Sequence, residues 1–196
     1  MTKALLIQSS PNPNGVSNIA SEHLKQKLID SHNIKDFSVR DLSANPVPHL
    51  DGKTIGAFFQ PDSMNENDYK KAISLSNELV EEIKQSDVIV LASPMWNLSI
   101  PSVVKAYIDH IVRAGLTFQY TETGPQGLLN GKKAYIVLAT GGDYTGDLQG
   151  YDFATNYLKG ILGFIGITDV EVLTGHSAAI DADASIENVK QQINKL

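Results

Sequence analysis

The sequence predicts an α/β fold, a doubly wound five-stranded parallel sheet with helices on both faces, and three observations carry that expectation. Five short apolar runs alternate along the 196 residues with stretches of helical periodicity. Residues 87–92, Asp-Val-Ile-Val-Leu-Ala, are almost continuously apolar and too short for a helix, as in a central strand covered on both sides. Serine, proline, asparagine and glycine cluster where the runs end. Parallel neighbours require crossovers, and those crossovers are the helices that cover the sheet.

In chain order, residues 3–8 form a buried strand closed by Ser9-Ser10-Pro11-Asn12-Pro13-Asn14-Gly15. From Ser17 a helix presents Ile19, Leu24, Leu28 and Ile29 inward, with Glu22, Lys25 and Lys27 toward water. Residues 37–42 are a second strand. Residues 43–65 carry Pro46, Pro48, Gly52, Gly56 and Pro61 without periodicity and read as a surface excursion. A helix over 68–86 leads into the strand at 87–92, which Ser93-Pro94 ends. Pro101 suits the first turn of a helix reaching Arg113, whose wide apolar arc holds Val103, Val104, Tyr107, Ile108, Ile111 and Val112. Residues 115–132 hold a small hairpin around Phe118 and Tyr120, and 133–139 a fourth strand. A glycine-rich loop at 140–150, a helix at 152–165, a strand at 169–173 and a helix at 185–196 follow, with Asp181-Ala182-Asp183 as a solvated turn.

Composition bounds the function. With 42% hydrophobic and 19% charged residues, the chain reads as one domain over 1–196, burying roughly 70% of its unfolded surface and needing no staple. The absence of cysteine removes disulfides, zinc ribbons and thiol nucleophiles, so redox chemistry must come from a bound cofactor. A net charge of -6, with 16 Lys+Arg scattered among 22 Asp+Glu, speaks against nucleic acid. Residues 1–8 lack the apolar core of a signal peptide and no run approaches the roughly 20 residues that span a bilayer, so the expectation is a cytoplasmic protein without a membrane partner.

Five strands favour the flavodoxin-like order 2-1-3-4-5 over the Rossmann order, and in either case ligands bind beyond the carboxyl ends of strands one, three and four. Three loops are thereby nominated. The first runs into a helix start, where free amides, serine hydroxyls and Gly15 can cradle a phosphate monoester; alternatively Ser17 is only an N-cap. The second, Ser93-Pro94-Met95-Trp96-Asn97-Leu98-Ser99-Ile100-Pro101, offers apolar surface for a planar ring beside a polar amide; alternatively it plugs the end of the sheet. The third, Ala139-Thr140-Gly141-Gly142, lets backbone approach a ligand edge, or is a tight turn. Together they match the phosphate, ring face and ring edge of a flavin mononucleotide. No Gly-x-Gly-x-x-Gly, Walker loop or Gly-x-Ser-x-Gly is present. His23, His32, His49, His110 and His176 lack ligand spacing, so no metal site is assigned.

Further segments carry a resemblance: Val39-Arg40-Asp41-Leu42, Arg113-Ala114-Gly115-Leu116-Thr117-Phe118-Gln119-Tyr120-Thr121-Glu122, Gly124-Pro125-Gln126-Gly127-Leu128 and Leu162-Gly163-Phe164-Ile165-Gly166-Ile167. With the three loops they make the chain resemble, over nearly its whole length, the FMN-dependent NADH azoreductase and quinone reductase family. The resemblance implies a flavodoxin-like homodimer with one FMN per subunit near the interface. It implies NADH as donor, quinones and aromatic azo compounds as acceptors, and two-step (ping-pong) hydride transfer through flavin N5. Carried over residue by residue, Ser10, Gly15, Val16 and Ser17 hold the phosphate, and Met95, Trp96, Asn97 and Leu98 meet the ring, where family members commonly have Met-Tyr-Asn-Phe. Ala139, Thr140, Gly141 and Gly142 stand where relatives commonly have Ser-Arg-Gly-Gly, so backbone contacts survive and side-chain contacts do not. Tyr144 replaces a histidine of some relatives, and no catalytic side chain is assigned. The alternative is a flavodoxin-type electron carrier serving protein partners. The apolar arc at 103–112 favours a second subunit over it, although a thick core explains the same arc.

Overall fold

The computed structural model describes residues 2–32 and 34–196, His32 by its backbone alone. Its five-stranded sheet is parallel throughout, built from β1 (Lys3–Gln8), β2 (Asp36–Asp41), β3 (Val88–Pro94), β6 (Lys133–Ala139) and β7 (Asp169–Gly175) in the order β2-β1-β3-β6-β7. Counted within the sheet, that is the expected 2-1-3-4-5. The two remaining strands, β4 (Phe118–Thr121) and β5 (Gly124–Gly127), pair antiparallel as the expected hairpin.

Period-two alternation divides the sheet's side chains between two cores. Leu5, Ile7, Ile89, Leu91, Ile136 and Leu138 face a cluster completed by α3 (Glu66–Gln85), α4 (Ser102–Ile111) and α5 (Phe153–Phe164). Leu6, Val90, Ala92, Tyr135 and Val137 face the opposite cluster, closed by α1 (Val16–His32) and α6 (Ala182–Asn194). α1 contributes Val16, Ala20, Leu24 and Leu28, four residues apart, and leaves Ile19 and Ile29 only half-buried.

Several expectations need correction. The excursion at 43–65 contains α2 (Gly52–Phe59) and a 3-10 turn at Pro61–Ser63. Asp51 caps α2 by accepting from the Thr54 amide at 2.7 Å, which offsets Gly52 and Gly56. The loop at 140–150 likewise winds into a 3-10 turn at Gly146–Tyr151. Asp181-Ala182-Asp183 is not a free turn: Asp181 caps α6 by accepting from Ala184 at 2.9 Å. Pro101 stands just before α4 as its cap residue, and the helix ends at Ile111, two residues short of the expected end. The arc of α4 is consumed internally, since Val104, Tyr107, Ile108 and Ile111 are buried in the chain's own core. The thick-core explanation of that arc therefore holds.

The hairpin is fastened to the end of α5. A Cβ on Gly127 would lie 2.1 Å from the Gly166 nitrogen, and Leu129 donates to the Ile165 carbonyl at 2.8 Å. Phe118 packs on Phe164 with ring centroids 4.7 Å apart, leaving Tyr120 exposed.

Candidate functional site

At the carboxyl ends of β1, β3 and β6 the three nominated loops meet around a cleft of about 400 Å³. Two other clefts, of about 460 and 640 Å³, are larger, so volume does not select the site; the chemistry of the walls does. None of the residues lining the 400 Å³ cleft carries an ionisable side chain.

The first wall is the β1–α1 loop. The Ser9 hydroxyl turns away and donates to the Ala92 carbonyl at 3.1 Å, whereas Ser10 lines the cleft. Gly15 is required by close approach: a Cβ there would stand 2.9 Å from Ser10 Oγ and 3.0 Å from the Asn12 carbonyl oxygen. The Gly15 carbonyl accepts from the Asn18 and Ile19 amides, both at 3.0 Å, which makes Gly15 the cap residue of α1. Ser17 is therefore no N-cap. Its hydroxyl is buried without a partner, and the Val16 and Ser17 amides find no acceptor among the described residues. A helix start with two open amides and an orphaned hydroxyl is electrically and sterically suited to an oxyanion.

The second wall follows β3. Met95 is buried and anchored by donation from its amide to the Ala139 carbonyl at 2.7 Å. Trp96 is 48% exposed at the cleft, so it does not plug the sheet. Trp96 and Ser99 exchange backbone hydrogen bonds at 2.8 and 3.0 Å across a tight turn, which holds Asn97 at φ 50° and Leu98 at φ 69°. These left-handed conformations are uncommon for asparagine and strained for leucine. Neither Asn97 nor Leu98 lines the cleft; they brace the turn that presents Trp96.

The third wall is the loop after β6. Thr140 is fully buried, its hydroxyl donating to the Gly142 carbonyl at 2.8 Å and lying 3.2 Å from His176 Nδ1. Ala178 donates to the Thr140 carbonyl at 2.9 Å, and Ser177 to that of Gly142 at 3.0 Å. Gly141 lines the cleft and Gly142 does not. Hydrogen bonding from Thr145 holds the Asp143 carboxyl below its ordinary range, with His176 adding a smaller pull.

Nine of the twelve expected residues thus share one cleft: Ser10, Gly15, Val16, Ser17, Met95, Trp96, Ala139, Thr140 and Gly141. Missed were Asn12, Asn14 and the segment through Ala178, Ala179 and Ala182. The last has no polar signature and reaches the cleft only because β7 ends beside β6. Among the histidines, the buried His110 ring donates from Nε2 to the Pro48 carbonyl at 3.0 Å, and its Nδ1 has no partner among the described residues; burial pushes its pKa down.

Over residues 2–196 the sequence matches a family described by a flavodoxin-like fold. The chain belongs to that family. Within it, the chain is 41% identical over 197 residues to a Pseudomonas fluorescens Pf-5 protein named FMN-dependent NADH:quinone oxidoreductase 2, covering all of this chain and 98% of the relative. It is 42% identical to the FMN-dependent NADH:quinone oxidoreductase of Hydrogenovibrio crunogenus, over 97% of this chain and 96% of that one. Among solved structures, an FMN-dependent NADH-azoreductase from Bacillus anthracis in complex with FMN superposes with a TM-score of 0.89 at 27% identity, covering 100% of this chain and 97% of that one.

Proposed function

We propose that the chain, as one FMN-binding domain over 1–196, is an FMN-dependent NADH oxidoreductase that reduces quinones and aromatic azo compounds. The observation that carries this reading is the orphaned Ser17 hydroxyl beside the open amides of Val16 and Ser17, a phosphate cradle lying in the same cleft as an exposed indole. The names of the relatives, at 41 and 42% identity over nearly the full chain, support it.

FMN, when bound, would supply two-electron redox chemistry between NADH and the acceptor, in two half-reactions through its N5. The protein's part is placement. Ser10, Ser17 and the amides of Val16 and Ser17 would hold the phosphate, Met95 and Trp96 would meet the ring, and the Ala139–Gly141 backbone would border it. With no ionisable side chain in the lining, stabilisation of negative charge falls to oriented amides and the α1 dipole. Among the described residues no helix is long and apolar enough to cross a membrane. In this reading the enzyme is a cytoplasmic homodimer. Exposed Trp96, Leu148, Tyr151 and Phe153 support an interface beside the cleft, the Phe153 amide being tied to the Leu98 carbonyl at 3.1 Å.

The test is steady-state NADH oxidation by the FMN-loaded protein with menadione or an azo dye. Turnover with either acceptor is expected. A flavodoxin-type carrier would hold FMN yet leave NADH untouched.

A further inference from the structure

The chain has two arginines, and they are treated in opposite ways. Arg40 is clamped by Glu78 and Glu82, which push its pKa up. Arg113 is 9% exposed, yet no carboxylate among the described residues pairs with it. Its neighbours are neutral. Nη1 donates to Ser76 Oγ at 2.6 Å, and the guanidinium lies 3.7 Å over the Phe58 ring. Ser76 in turn spends its proton on the His110 carbonyl at 2.6 Å. Burial lowers the Arg113 pKa, and the Tyr69 phenol is the one titratable group that offsets the effect.

A buried cation without a counter-charge is costly, and arginine stays charged. One cation–π contact and one neutral hydrogen bond leave most of a guanidinium's five donors unmet. Arg113 lines a crevice of about 330 Å³, and of its guanidinium nitrogens only Nη1 has a hydrogen-bond partner among the described residues. Tyr69 and Asn77 stand on the wall of that crevice, and Phe58, Ile73 and Leu116 supply apolar surface. It shares no residue with the cleft around Ser17 and Trp96.

We propose that the crevice between α2, α3 and the segment after α4 is a binding site for a small organic carboxylate, its anion held by the Arg113 fork and its apolar body against Phe58 and Leu116. A planar carboxylate matches the guanidinium bidentately. A dianionic phosphate would bring a second charge where the crevice has a single cation, and it has no apolar body to cover Ile73 and Leu116. The volume is at the lower end for small-molecule sites, which selects a ligand of about one ring.

Calorimetric titration of the FMN-loaded protein with benzoate, benzamide and inorganic phosphate tests this. Benzoate should bind saturably, with benzamide weaker by about tenfold or more, the loss expected when a charge-assisted hydrogen bond is removed. Arg113→Lys should weaken benzoate by a similar factor, and Asn77→Ala and Tyr69→Phe by a few-fold each, with FMN content unchanged. Should Arg113→Lys fail to fold, the benzamide comparison and the two wall variants decide. Absence of saturable benzoate binding, as when a carboxylate of a second copy fills the crevice, overturns the proposal. So do equal affinities for benzoate and benzamide, tighter binding of phosphate than of benzoate, or wall variants that bind as the parent does.

Discussion

Ser17 carries the sharpest consequence at the scale of single residues. In the free chain its buried hydroxyl has no partner, so replacing it with alanine removes a group that contributes no internal hydrogen bond. Ser17→Ala should leave the melting temperature of the apoprotein unchanged or slightly raised. The same variant should weaken FMN by about 1.5–3 kcal/mol, the worth of a hydrogen bond to a charged group, read by fluorescence titration. Trp96 is the second such residue. At 48% exposure it cannot contribute the several kcal/mol of a core aromatic, so Trp96→Ala should melt near the parental temperature. Its effect belongs to geometry: a ring free to slide by about 1 Å loses on the order of a hundredfold in hydride transfer. Stopped-flow reduction of the FMN-saturated variant by NADH should show that loss, and Trp96→Tyr should retain most of the rate. A destabilised Trp96→Ala protein with parental kinetics would remove Trp96 from the site.

Elements connect these residues to the fold, and the β4–β5 hairpin shows how tightly. Alanine at Gly127 would drive a methyl group into the Gly166 backbone, 2.1 Å from its nitrogen and 2.4 Å from its Cα. Backbone cannot rotate aside, so Gly127→Ala should cost at least the 1–3 kcal/mol typical of overpacking, measured as a lowered urea midpoint. The strands were legible in the sequence because sheet burial writes itself as apolar runs: residues 87–92 and 133–139 match β3 and β6 within one or two positions. Helix α2 was not, because two glycines and flanking prolines mask eight residues stabilised by the Asp51 cap and by packing of Thr54 and Ala57. Its one local trace was an aspartate three residues before a threonine amide. Within the site, the phosphate loop and Trp96 were legible from residue type and position. The bracing roles of Asn97, Leu98 and Thr140 were not, since they depend on turns and buried hydrogen bonds that pair distant residues, such as Thr140 with His176.

The whole molecule sets what the cleft can become. Most of its α4 arc is spent on the internal core, and the exposed Trp96 at the cleft, with Phe153 tied to the Leu98 carbonyl, offers apolar surface for association. Light scattering should give a dimer, and a stable interface of that kind buries at least about 1,000 Å² in total. A fully active monomer would contradict this. The cleft is expected to bind FMN by its phosphate and turn it toward NADH. This is tested most directly by anaerobic mixing of the purified, FMN-loaded protein with NADH, followed by addition of menadione, while the flavin's visible absorbance is recorded. One FMN per chain, bleached by NADH and restored by the quinone, is expected. A protein that retains FAD instead, or whose bound FMN keeps its colour in excess NADH, would contradict it.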